Sequence, residues 1–220
     1  VVGVSVSLAA ERWRQATGDR ETERTLLSGL EVDLGSEAEE LESLARSGRS
    51  WDQAAQWVNL NEDRSDAPPD SVASIMQLFG RISFYQPVRA AYTEGISSGG
   101  LSLILEDSLR AAVVNYYEVR QPYMVQFYNL VFDNWRGFYD ASAPYLNWGI
   151  QPGDTTMFAA IQPRNPPELR ESWTTMSSDA AFMGHVDIIG MLGGNASVRI
   201  DEVLAENQAL REQIRAQLER

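Results

Sequence analysis

The sequence contains no lysine and no cysteine, and its one histidine is His185. Without lysine there is no Walker-type phosphate loop, no Schiff-base nucleophile and no attachment point for pyridoxal phosphate. Without cysteine there is no thiolate nucleophile, no disulfide and no thiolate-held metal. A lone histidine cannot supply the paired histidines of a zinc peptidase helix or of a di-iron bundle. No G-x-S-x-G elbow accompanies it for a serine triad. Only carboxylate catalysis, which leaves no signature of spacing, escapes these exclusions. No catalytic, cofactor-binding or metal-binding residue is therefore assigned, no cofactor is expected, and the chain is read as a non-enzyme. His185, beside the apolar position Val186, is read as a half-buried structural histidine.

What is present is acid and arginine. All 18 basic residues are arginines, against 31 acidic ones, for a net charge of −13. A field of that sign repels phosphate backbones, which excludes nucleic acid as a partner. A length of 220 residues suffices for one domain with a sizeable core.

The opening run, "VVGVSVSLAA", is uncharged and about half the length needed to cross a bilayer. No proline follows through Arg46, and helix formers dominate. Residues 1–10 are thus read as the C-terminal part of a transmembrane helix that continues into water. Leu8 and Trp13 stand at the membrane interface, where an aromatic belongs. The alternative for Trp13 is packing on a neighbouring helix. Residues 11–220 are read as one helical extramembrane domain.

Periodicity fixes its expected architecture. Leu27, Leu30, Leu34, Leu41 and Leu44 advance by threes and fours, interrupted by Glu37. From Phe182 to Ile214 a heptad pattern runs through Val186, Ile189, Gly193, Ala196, Ile200, Val203, Asn207 and Leu210. Asn207 at an apolar position would fix register. Trp51 to Leu60 and Ser71 to Phe79 read as short helices, the second capped by Asp70. Pro87 can start another, ending at Ser98-Gly99-Gly100, where glycine suits a left-handed cap. An aromatic helix begins near Asp107 and carries Val113, Tyr116, Arg120, Tyr123, Phe127, Val131, Trp135 and Phe138 on one face. That stripe is read as core. Pro122 should kink the helix near Val119. The fold class is all-α, an elongated antiparallel helical bundle with coiled-coil-like N- and C-terminal helices.

Three further features have plain structural readings. Gly190-x-x-Gly193-Gly194 is read as a close helix contact or a local break, not a phosphate cradle. "SEAEELESLARS" is read as a solvated helix face. Asn195-Ala196-Ser197 fits a glycosylation acceptor but falls within the heptads. The segment 140–167 reads as a long loop carrying Tyr145, Trp148, Met157 and Phe158. Long loops are uncommon inside compact domains and are often functional, and interfaces draw anchors from aromatics and Met. These residues are the partner-binding candidates, with Trp148 or Phe158 expected to bury itself in a partner; the alternative is that they cover the domain's own core.

Leu8 and Trp13, "TLLSGLEVDL", "YTEGISSGGLSLILEDSLRAAVVNYY" and "SSDAAFMGHVDIIGMLGG" together resemble an uncharacterised family of bacterial single-pass membrane proteins. In that family a membrane helix ends in a Leu-x-x-x-x-Trp signature and runs into an acidic helical domain. The resemblance covers both ends and the middle; residues 123–148 are more aromatic than the family pattern, and 140–166 looks inserted. It implies a helical domain outside the bacterial inner membrane, in the periplasm, and no activity. Arg12, Arg14, Arg20 and Arg24, just beyond the apolar run, are a positive-inside signal for the opposite orientation. The expected function is that of a membrane-anchored accessory or scaffolding subunit. Its partners would be the lipid bilayer and a larger membrane protein complex, with energy-transducing respiratory or photosynthetic assemblies considered on no motif. The alternative is a sensor-like bundle binding a small ligand among its aromatic residues.

Overall fold

In a computed structural model of the chain, residues 2–82, 84–149 and 165–220 are described, with backbone alone for 2–10 and 12. The fold is mostly helical: α1 Val2–Leu60, α2 Pro69–Gly80, α3 Ala90–Ser97, a 3-10 turn Gly100–Leu103, α4 Asp107–Asn115, α5 Gln121–Ser142, α6 Trp173–Ser177 and α7 Ala180–Leu218. Two short strands, β1 Leu146–Asn147 and β2 Glu168–Leu169, pair antiparallel, with Leu146 opposite Leu169. Contacts divide the chain into two compact units. One comprises Val1–Glu40, Gln86–Tyr123 and Val203–Arg220; the other comprises Leu41–Tyr85 and Met124–Glu202.

Helix α1 is one element where the sequence suggested a break before Trp51. Pro68 is the first proline, so nothing upstream removes a ladder donor. Its hydroxyls bond back to carbonyls four residues earlier, Thr25 to Glu21 and Ser50 to Arg46 among them, which keeps these polar residues compatible with the helix. Pro69 occupies the first turn of α2, and Asp70 lies inside that turn without capping it. Pro87 does not start a helix; α3 begins at Ala90. Gly99 adopts a left-handed φ of 74°, as a helix end with glycine should.

In the first unit the leucines of α1 are buried, and α7 lies against them. Glu31 accepts from Arg211 and Arg215, while Leu34 O accepts from Asn207 Nδ2 at 3.0 Å. Numbers rise on α1 as they fall on α7, so within this unit the helices run antiparallel. Between α4 and α5, Tyr116–Arg120 forms a π turn. Pro122 lacks an N–H and its ring would meet the carbonyl four residues back; a widened turn absorbs both, where the sequence reading expected a kink near Val119.

In the second unit the same pair of helices approaches more closely. A Cβ on Gly190 would lie 2.2 Å from Ala55 Cβ, and one on Gly193 would lie 2.6 Å from Gly48 O. The glycine run is thus a backbone contact, as read from the sequence. Around it pack Trp51, Met76, Phe79, Trp135, Phe138, Leu146, Trp148, Trp173, Phe182 and Ile189. Each buried indole N–H finds an acceptor: Trp51 on Leu78 O, Trp135 on Phe79 O, Trp148 on Ser142 Oγ and Trp173 on Asn61 O.

Candidate functional site

The unusual chemistry of the described residues lies in the first unit, where α1 sends carboxylates inward. Glu37 and Gln121 are fully buried and Asn207 is 1 % exposed. Glu37 Oε2 accepts from Tyr116 OH at 3.1 Å and from Gln121 Nε2 at 2.9 Å. Asn207 Nδ2 reaches Tyr116 OH at 3.0 Å as well as Leu34 O, and Gln121 Nε2 also reaches Val88 O. Side chains from α1, the π turn, α5 and α7 therefore meet around one phenol. The π turn places Tyr116 and Gln121 for this.

Two neighbouring acids of α1 do related work. Asp33 Oδ2 accepts Ala91 N–H at 2.7 Å, and α3 has no capping side chain of its own, so an acid from another helix supplies that acceptor. Glu40 Oε1 accepts Gln86 N–H at 2.9 Å. The acidic stretch read as a solvated face is therefore not wholly one: Glu37 is core and Glu40 holds backbone.

Beside this knot, Tyr92 and Tyr117 stack with centroids 4.4 Å apart and planes 4° from parallel. Arg89 lies over Tyr92 and pairs with Glu118 at 2.9 Å. Burial pushes the Tyr92 phenol up to about 12, helped by its bond to Glu118. Burial first, then the nearby carboxylates, push Tyr116 and Tyr117 up further. Tyr117 OH is buried with no hydrogen-bond partner. Phenols held this firmly neutral neither act as bases nor serve as nucleophiles near neutral pH. The cluster specifies which helices meet and in what register, the role attested for buried polar groups in paired helices.

The other sequence candidates scatter. Trp13 is 71 % exposed, so it does not pack on a neighbouring helix. Of Leu8 only the backbone is described, and it is helical. Met157 and Phe158 lie outside the described residues. Trp148, expected in a partner, is instead 8 % exposed in its own core, stacked on Tyr139 at 5.6 Å and edge-on to Phe138. The physical reason is local: Ser142 offers the indole its acceptor and β1 turns the chain back over α5. Tyr145 is half-buried, its ring against Phe182 and its hydroxyl on Asp179 Oδ2 at 2.5 Å. Asp179 in turn accepts Ala181 N–H with Oδ1, capping α7, and the Tyr145 hydroxyl is the main influence holding its carboxyl below the ordinary range. His185 is half-buried, with its imidazole against Gly137, where a Cβ would lie 2.7 Å from Cε1. Among the described residues no group of three or more His, Asp or Glu could hold a metal ion.

Sequence reading marked Glu37 and Asn207 singly and missed Tyr116 and Gln121 as their partners. The available signal was an acid inside one apolar stripe and an amide inside the other. Comparison with family models, curated proteins and solved structures gives no match.

Proposed function

We propose that the protein is a non-catalytic accessory subunit, held at a membrane by the helix that opens α1 and docked on a larger membrane protein complex. The observation that carries this reading is Trp13. It is 71 % exposed on a helix that runs unbroken from Val2 to Leu60, directly after an apolar run. An uncovered indole at the end of such a run has the placement of an interfacial aromatic. Among the described residues no helix is long and apolar enough to cross a membrane.

Docking has a surface to use. On α7, Ile188, Met191 and Val198 are 37 %, 59 % and 59 % exposed and fall on one face. This stripe replaces Trp148 as the anchor for a partner helix. The coiled-coil-like pairing of α1 with α7 would hold that face rigid. The periplasmic side, the bacterial inner membrane and an energy-transducing partner rest on the family resemblance or on no motif. A small-ligand sensor gains nothing from the aromatic stripe, whose rings pack on one another. The test is membrane fractionation of the full chain and of a Met191→Asp, Val198→Asp variant. Wild type should stay with membranes after a carbonate wash and co-purify with its complex in mild detergent. The variant should stay in the membrane but leave the complex. Carbonate release of wild type would refute the anchor.

A further inference from the structure

In a chain of net charge −13, nine of the 18 arginines have an acid within ion-pair distance; among the described residues, Arg20 and Arg24 are among those that have none. They sit one turn apart on α1, both exposed, an arrangement in which like charges repel. Both line an open pocket of about 410 Å³ in the first unit, together with Leu27, Leu105 and the end of α7. Arg220 also lines it, tied to Gln217 Oε1 at 3.3 Å and Glu106 at 3.5 Å.

Part of the lining is apolar, and one apolar residue of it is held in place by a backbone bond. Glu23, 6 % exposed, accepts Leu105 N–H at 3.0 Å, and that bond fixes Leu105 with its side chain 69 % exposed. Leu27 and Leu218 complete the apolar lining. Glu21 and Glu23 also line the cavity; Glu23 is engaged with Leu105 N–H and Gln217, and Glu21 faces the guanidinium groups as the competing charge. The volume falls in the range of small-molecule sites, which combine an apolar lining with a few polar groups.

We propose that this cavity binds an anionic amphiphile, a phosphate monoester or carboxylate carrying a short alkyl chain. Guanidinium forks bind both anions through paired N–H bonds. An anion between Arg20 and Arg24 relieves their repulsion, while the chain lies against Leu27, Leu105 and Leu218. The inference does not depend on the docking function.

Calorimetric titration of the full chain with octyl phosphate below its micelle concentration tests it. Inorganic phosphate, octanoate and phosphatidylglycerol vesicles serve as parallel probes. The expected result is one-to-one binding of octyl phosphate and of octanoate, with inorganic phosphate at least tenfold weaker. An Arg20→Gln, Arg24→Gln double variant should lose at least tenfold in affinity for octyl phosphate. Leu105→Ser should weaken octyl phosphate severalfold and leave inorganic phosphate unchanged. Arg136→Gln, an exposed arginine of the other unit, should bind as wild type does. The variants change exposed residues, and unchanged circular dichroism verifies their fold. No binding of octyl phosphate, binding to vesicles alone, or equal binding by the double variant would each overturn the proposal.

Discussion

At the scale of single residues, burial decides what each polar or aromatic side chain can do. Trp148 fills its own core, so Trp148→Ala should cost about 3 to 5 kcal/mol in unfolding free energy, measured by urea titration. A loss under about 1 kcal/mol would mean that the indole is not core. Tyr116 and Tyr117 carry a pH signature. An unfolded tyrosine loses its proton near pH 10, whereas burial holds these two protonated beyond that. Above about pH 10 the unfolded chain releases protons that the fold retains. Stability from these groups is therefore complete below pH 10 and falls as pH rises, by about 1.4 kcal/mol per pH unit for each tyrosine. Urea titrations between pH 9 and 11 should show this slope, to which Tyr92 also contributes, and Tyr117→Phe should reduce it. Because the Tyr117 hydroxyl has no partner, that change should cost little at pH 7. A variant as pH-sensitive as wild type would place the titration elsewhere.

At the scale of elements, the contact between α1 and α7 in the second unit rests on missing side chains. Gly190→Ala would drive a Cβ to 2.2 Å from Ala55 Cβ, so it should destabilise by about 1 to 3 kcal/mol or more. Gly184→Ala on the same helix meets nothing within 4 Å and should stabilise by about 0.5 to 1 kcal/mol through helix propensity. Thermal melts of the two variants should therefore shift in opposite directions, and a parallel shift would contradict the close approach. These helices were legible in the sequence because heptad spacing is a local property: Leu27 to Leu44 and Phe182 to Ile214 are buried as their periods require. Pro122 marked a kink in the sequence, and the structure meets it with a π turn over Tyr116–Arg120. The knot around Tyr116 was not legible, since Glu37, Gln121 and Asn207 are brought together only by tertiary packing. Nor was the direction of Trp148, which follows from one acceptor, Ser142, and one stacking neighbour, Tyr139. The capping of α3 by Asp33 is equally non-local. Sequence spacing reports which face is apolar, not which polar atoms will meet across it.

At the scale of the whole molecule, the chain is mostly helical and carries a net charge of −13. An acidic body keeps anionic surfaces at a distance; under the proposed function, attachment uses the apolar run before Trp13 and the stripe on α7. Two attachments that act together multiply affinity without further contacts. Loss of either should therefore release the protein more readily than the area of one contact suggests. The direct test is the mass of the particle that carries the chain once its native membrane is solubilised in mild detergent, measured by native mass spectrometry. The expected result is an assembly well above the 24.5 kDa of one chain, with this protein at fixed stoichiometry to membrane-spanning partners. A detergent-free monomer recovered from the soluble fraction would contradict the account.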